Sequence, residues 1–266
     1  MHPIERLRFV ARSKGAPADL LVSESATALA AFRDDPAGLV AACRRIVDRQ
    51  LTCAPLWWLC ARMLTAPDAF AEARDAVEAV ESDPTVRHLA RGLPDGAAVV
   101  VVGWPSQGLV AFRRRGDVSV VVVDVDGDGY ELERELTHAG VQVDVAEPRG
   151  VAAAVAGAQL VVLDALAVGP GSALVPAGSA AAAAVAQQHG VPVWLVGGAG
   201  RLLPARMFDA LVDRWSEGVD PLTATEELVA LSWCDQLVGT TGVVDVDEGL
   251  KATDCPVAPE LFRLAG

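Results

Sequence analysis

The chain has 266 residues, a formal net charge of −13 and a hydrophobic fraction of 52%. This composition excludes a disordered chain, and the acidic balance without a basic face argues against nucleic-acid binding. No apolar run reaches the roughly 18 residues of a membrane span. Charged side chains also interrupt residues 1–15, where a signal peptide needs apolar side chains. We therefore predict a cytoplasmic protein that enters no membrane.

The N-terminal part has helical periodicity. Apolar side chains recur every three or four positions in residues 38–50, and the same spacing recurs over 68–80. Asp68 precedes the second of these segments, where its side chain can cap a helix. A Pro-Asp-Gly turn at 94–96 then ends the pattern. We predict a helical N-terminal domain over 1–93.

Apolar runs alternate with helical stretches in the remaining chain, residues 94–266. The predicted strands are 97–103, 118–124, 141–145, 159–164 and 191–196. The predicted helices are 106–114, 131–139, 150–156, 179–189 and 205–215, with a second tail helix near 224–231 and an extended segment at 243–246. The strands are continuously apolar, which is typical of an open parallel sheet covered by helices on both faces. This pattern predicts an α/β fold whose ligands lie beyond the carboxyl ends of the strands.

The first loop at that edge opens the helix that begins near Ser106. The backbone N–H groups of Ser106, Gln107 and Gly108 can bind an anion there, so these residues are candidate ligand contacts. The loop lacks the GxGxxG pattern, and Trp104 and Pro105 would crowd a pyrophosphate. We therefore expect neither a dinucleotide nor another cofactor.

Two patterns bear on metal binding. The five cysteines are odd in number and form no CxxC pair, so we expect reduced thiols rather than a disulfide framework or a zinc site. Asp124, Asp126, Asp128 and Glu135 match the spacing of a calcium loop. However, a strand precedes them where a calcium-binding helical hand has a helix. We favour an acidic strand-to-helix turn and predict no metal, with calcium binding as the alternative.

Two later loops complete the candidate site. Asp164 ends an apolar strand, where it is either an acid/base group or a solvated turn carboxylate. An irregular crossing over 165–178 leads to Gly178 and Ser179, and Ser179 is positioned to cap the next helix or to contact a ligand. Arg201 follows three glycines and is either an anion-binding group or a surface side chain.

Residues 159–201 resemble the core of the initiation factor 2B α/β/δ family, which also contains methylthioribose-1-phosphate and ribose-1,5-bisphosphate isomerases. An apolar strand, the pair Gly178-Ser179 in place of Gly-Thr, an alanine-rich helix and the sequence HGVP at 189–192 carry the resemblance. The closing segment 255–262 is similar to the end of the family pattern. The resemblance implies a Rossmann-like domain over 94–266, including a C-terminal tail, and a homodimer.

The sequence departs from the isomerases at their chemical groups. Their cysteine in the first turn is replaced by Trp104-Pro105-Ser106, and their phosphate-contacting arginine falls near Asp126. Their Asn-Lys pair corresponds to Val175-Pro176, so that only an aspartate, Asp164, is retained. The departures favour a divergent member without isomerase activity that binds a small metabolite or a partner protein.

The alternative is an isomerase-like enzyme acting on a small sugar or sugar phosphate. Asp164 would then be the acid/base, and Ser106, Ser179 and Arg201 would orient the substrate. A calcium-binding module is the third hypothesis.

Overall fold

A computed structural model describes Glu5, Val10 and residues 16–262. The N-terminal helices are α1 (Ala18–Leu29), α2 (Pro36–Arg49), α3 (Ala54–Thr65), α4 (Ala69–Glu81) and α5 (Thr85–Gly92). The elements that follow are β1 (Ala98–Val102), α6 (Ser106–Arg115), β2 (Ser119–Val123), α7 (Gly129–His138), β3 (Gln142–Ala146), α8 (Val151–Ala156) and β4 (Leu160–Asp164). The rest are β5 (Ala167–Val168), β6 (Ser172–Pro176), α9 (Ser179–His189), β7 (Val193–Val196), α10 (Ala205–Ser216), β8 (Glu226–Ala230), β9 (Gln236–Gly239), β10 (Gly242–Asp245) and α11 (Val246–Leu250).

These elements group into two compact units. The helical unit takes the described residues of 1–83, 199–218 and 253–266, and the sheet unit takes 84–198 and 219–252. Both units are therefore built from separate stretches of the chain. The division into domains at residues 93 and 94 stays a prediction.

The sheet unit contains a seven-stranded sheet in the order β10-β9-β7-β4-β1-β2-β3. All neighbouring strands are parallel except β10, which runs antiparallel to β9. The interior strand β1 is paired on both sides, with Val99 opposite Val120 of β2 and Leu160 of β4. The predicted α/β fold with an open, mainly parallel sheet is confirmed.

Burial explains why these valine-rich runs form central strands. Val99 to Val102 are at most 3% exposed, so side chains on both faces of β1 lie in the core. Helices supply the covering layer through fully buried side chains such as Phe112, Leu132 and Leu136. Removing such large apolar surfaces from water is the main favourable contribution to folding.

Two segments of this unit differ from their predicted secondary structure. Residues 165–178, predicted as an irregular crossing, contain β5 and β6, and the predicted helix at 224–231 is largely the strand β8. These strands form a second sheet in the order β5-β6-β8, with antiparallel pairing between neighbours. Tertiary pairing with β6 overrides the local helical preference of this short segment.

The helical unit is packed around two tryptophans. Trp57 and Trp58 in α3 are at most 1% exposed, and the indole Nε1 of Trp58 donates to Asp254 Oδ1 at 2.8 Å. The predicted cap of α4 is confirmed, because Asp68 accepts hydrogen bonds from the backbone N–H groups of Phe70 and Ala71. Among the described residues no helix is long and apolar enough to cross a bilayer. The cytoplasmic location stays a prediction.

Candidate functional site

The N-terminus of α6 is closed by a carboxylate from a neighbouring strand. Pro105 occupies the N-cap position and makes no side-chain capping bond. Asp164, the last residue of β4, instead accepts from the backbone N–H of Gln107 at 2.8 Å and from Ser106 Oγ at 3.3 Å. Its side chain is only 5% exposed. The structure thus brings together three of the predicted site residues, in the geometry of a helix cap.

Gln107 and Gly108 extend this cluster into the protein rather than toward solvent. The side-chain Oε1 of Gln107 accepts from the backbone N–H of Gly198 at 3.3 Å, which ties α6 to the loop after β7. Gly108 is buried in the first turn of the helix, where an added Cβ would lie 3.0 Å from Pro105 and 3.2 Å from Phe112. Its role in this arrangement is close packing.

The N-terminus of α9 lies at the same edge of the sheet. Gly178 is the N-cap with a φ of +92°, and a Cβ there would lie 3.1 Å from Val125 and 3.4 Å from Val102. The prediction that Ser179 caps α9 is wrong, because Ser179 is the first helical residue. Its hydroxyl is buried and has no hydrogen-bond partner. The chain can adopt the left-handed conformation at 178 because glycine has no Cβ.

A second carboxylate closes α9. Glu227 Oε1, on β8, accepts from the backbone N–H of Ala180 at 2.7 Å. Nothing in the sequence indicates this contact, because its pattern predicts a helix over residues 224–231. A carboxylate at a helix N-terminus is stabilised by the free N–H groups and the helix dipole.

The turn after β2 is acidic, as predicted. Asp124 Oδ1 accepts from Gly127 N at 2.8 Å, and burial, followed by the charges of Asp128, Asp124 and Glu226, raises the pKa of Asp126. Within the described ranges, no three acidic, histidine or cysteine side chains are grouped to share a metal ion. Asp124, Asp126 and Asp128 place negative charge at this turn, and this charge would repel a phosphorylated ligand.

Arg201 belongs to the helical unit, unlike the other candidate residues. Its side chain is 9% exposed. The preceding Gly200 has a φ of +73°, and a Cβ there would lie 2.9 Å from the Trp58 ring. Burial raises the pKa of the Cys53 thiol to about 11, although a backbone hydrogen bond from Leu56 and the Arg201 charge act in the opposite direction. Arg201 is thus a buried side chain of the helical unit rather than the surface group considered as one alternative.

No family model and no curated protein sequence matches this chain. Solved structures do match it. The translation initiation factor eIF-2B of Pyrococcus horikoshii aligns with a TM-score of 0.75 at 13% identity, covering 93% of this chain and 98% of that one. The eIF2B beta subunit of Chaetomium thermophilum aligns with a TM-score of 0.76 at 15% identity, covering 97% and 92%.

An enzyme has the same architecture. The 5-methylthioribose 1-phosphate isomerase of Pyrococcus horikoshii aligns with a TM-score of 0.65 at 13% identity, covering 94% of this chain and 86% of the isomerase. The resemblance read from residues 159–201 is therefore confirmed at the level of the fold. Initiation factor subunits and an isomerase share this fold, so the function must be argued from the site.

Proposed function

We propose that this chain is an initiation factor 2B-like protein that binds a partner and does not isomerise sugar phosphates. One observation carries the proposal. The N-termini of α6 and α9, which lie at the carboxyl edge of the sheet, each bind a carboxylate of the protein itself. Asp164 of β4 binds the N-terminus of α6, and Glu227 of β8 binds that of α9. These N–H groups are the ones that would otherwise bind a phosphate.

The energetics of displacement support this proposal. A phosphate at α6 would have to replace Asp164, which is 5% exposed and already hydrogen-bonded. A phosphate at α9 would meet Glu227 and the nearby acidic side chains of Asp126 and Glu226. Burial, and then neighbouring negative charges that include Glu226, raise the pKa of Asp126. Placing an anion beside such groups costs free energy.

The same geometry weakens the enzymatic alternative. An acid/base group must exchange a proton with a bound substrate, so its carboxylate has to be within reach of that substrate. Asp164 Oδ2 is used by Ser106 and Gln107 as part of a helix cap. We therefore assign Asp164 a positioning role, and we assign Ser106 and Gln107 to the same cap.

The partner that we propose is a second protein chain. The beta and delta eIF2B subunits of Chaetomium thermophilum, of which one chain aligns here with a TM-score of 0.76 at 14% identity, form a tetrameric complex. By this likeness we infer that the present chain also assembles, in its simplest form as a homodimer in the cytoplasm. A small uncharged metabolite is the second ligand class that the acidic edge permits.

A thermal-shift and turnover assay tests the proposal. The panel contains methylthioribose 1-phosphate, ribose 1,5-bisphosphate, inorganic phosphate and unphosphorylated ribose. A ligand at a hundredfold excess over its Kd stabilises the folded state by about 2.7 kcal/mol, which is readily measured. We expect no shift with the phosphorylated compounds and no isomerised product. A shift together with turnover that Asp164→Asn abolishes would overturn the proposal and establish the enzyme.

A further inference from the structure

Strand β8 is an edge strand whose backbone orientation can be assigned. It is the last strand of the order β5-β6-β8. Thr225 O accepts from Ala177 N, and Leu231 N donates to Gly171 O, so the odd-numbered residues of β8 point their backbone groups toward β6. Because these directions alternate along a strand, the N–H and C=O groups of Glu226, Leu228 and Ala230 face the other edge.

The middle and the C-terminal end of β8 carry no side chain that protects an edge strand. Leu228 is 39% exposed, although Leu174, directly opposite it on β6, is fully buried. Natural edge strands usually carry a proline, a lysine or a bulge that prevents pairing with another chain. The central residues Leu228 and Val229 provide none of these, and the acidic side chains lie at one end only.

We propose that β8 pairs antiparallel with β8 of a second copy of this chain, about a twofold axis at Leu228. In this register Leu228 faces its own copy, Glu226 faces Ala230, and Glu227 faces Val229. All outward-facing N–H and C=O groups of the strand then find partners. The pairing joins the three strands of each copy into one continuous sheet and covers the exposed leucine.

Charge disfavours the registers whose axis lies on the N-terminal side of Leu228. A twofold axis at Glu226 or Glu227 would place two carboxylates directly opposite each other, and like charges in that position are destabilising. An axis at Leu228 places each glutamate opposite an apolar side chain. The second copy is therefore the occupant whose charge pattern fits this edge, and the inference rests on the assembly part of the proposed function.

Variants at position 228 test the pairing by sedimentation velocity. Leu228→Pro removes an N–H group that points outward, so the bonds to β6 made by the odd-numbered residues are retained. Leu228→Lys places two positive charges at the axis. We expect either change to weaken dimerisation at least about tenfold. Tyr130→Lys, which alters a residue of α7 that is 73% exposed, is the matched control and should leave the dimer intact.

A crosslinking variant keeps the test independent of any folding defect. Opposed residues of a hydrogen-bonded antiparallel pair have Cα atoms about 5.5 Å apart, within the range that a disulfide spans. Oxidised Leu228→Cys should therefore give a covalent dimer linked through position 228, as read by mass spectrometry, whereas Tyr130→Cys should not.

Two outcomes would overturn the pairing. One is a monomeric wild-type chain. The other is a dimer that persists in Leu228→Pro and Leu228→Lys while Leu228→Cys forms no crosslink. That result would mean that the dimer interface lies elsewhere on the protein, and the proposed assembly would still hold. Turnover of a sugar phosphate, in contrast, would remove the proposed function whatever the oligomeric state.

Discussion

Helices α6 and α9 begin at the same edge of the sheet, and both begin without a capping side chain of their own. Pro105 and Gly178 occupy the two N-cap positions, and neither makes a side-chain capping bond. Each helix is closed instead by a distant carboxylate, Asp164 for α6 and Glu227 for α9. The comparison shows that local sequence supplies the helix and the tertiary fold supplies its cap.

The two caps differ in completeness. Asp164 accepts from both a hydroxyl and an N–H group of α6, and it is buried. Glu227 is half-buried and accepts from Ala180, while the neighbouring Ser179 hydroxyl stays unsatisfied. The α6 cap should therefore contribute more to the free energy of unfolding than the α9 cap does.

Asp164→Ala should produce the largest loss. It removes a buried acceptor and leaves the Gln107 N–H and the Ser106 hydroxyl without that partner. We expect the free energy of unfolding to fall by about 2–3 kcal/mol in urea denaturation. Asp164→Asn keeps an acceptor oxygen and should cost about 1 kcal/mol. Equal effects of the two variants would contradict a cap that depends on charge.

Glu227→Ala should cost less, about 1 kcal/mol, because its hydrogen bond is at a half-buried helix end. It should also open the α9 N-terminus to anions, so inorganic phosphate should raise the Tm of this variant more than that of the wild type. Glu226→Ala on the adjacent residue removes a nearby charge but keeps the cap, so it is the matched comparison and should increase the phosphate effect less than Glu227→Ala does. A phosphate response identical in all three proteins would show that Glu227 does not occupy an anion site.

The contrast between the caps also marks what sequence can predict. Continuous valine runs predict parallel strands, and parallel strands place their carboxyl ends at one edge, so the approach of Asp164 to Ser106 follows from the topology. The register of β4 beside β1 then brings the carboxylate to α6. Residues at the ends of neighbouring strands in a regular sheet can therefore be assembled into a site before a structure is known.

Glu227 could not be found in that way. Its strand is part of a small antiparallel sheet whose pairing partners lie far apart in the chain, as with Val175 and Glu227. The segment 224–231 is short and carries no turn signal of a hairpin, so periodicity alone does not separate helix from strand. The misplaced cap at Ser179 has a related cause, because the glycine before it takes the N-cap position in a left-handed conformation.

Ser179→Ala sharpens the comparison at α9. The wild-type hydroxyl is buried without a partner, which costs free energy relative to an apolar side chain of similar size. We expect the variant to be as stable as the wild type or more stable by up to about 1 kcal/mol. Ser25→Ala in α1 removes a hydroxyl in the same state and serves as the control. A loss of more than about 1 kcal/mol at 179 alone would indicate a bound partner at that hydroxyl.

Asp126→Asn should have the smallest effect, and its sign depends on pH. Burial, then the charges of Asp128, Asp124 and Glu226, raises the pKa of Asp126 in the folded state above its ordinary value of 3.8. An acid whose pKa is raised by folding binds its proton more tightly when folded, so stability is lost as the pH rises through this window. The variant should therefore have a Tm higher by on the order of 1 °C at pH 7 and unchanged at pH 3.

Asp117→Asn provides the control of opposite sign. The Arg115 side chain, followed by the backbone N–H of Gly96, holds the pKa of Asp117 well below its usual range. Its charged form therefore stabilises the folded state, and that contribution is lost as the pH falls through the lowered pKa. At pH 7 the variant should lower the Tm where Asp126→Asn raises it. Shifts of the same sign would mean that net charge, rather than the acidic turn beside α9, sets the response. The exclusion of phosphate that we propose for this edge would then rest on Glu227 alone.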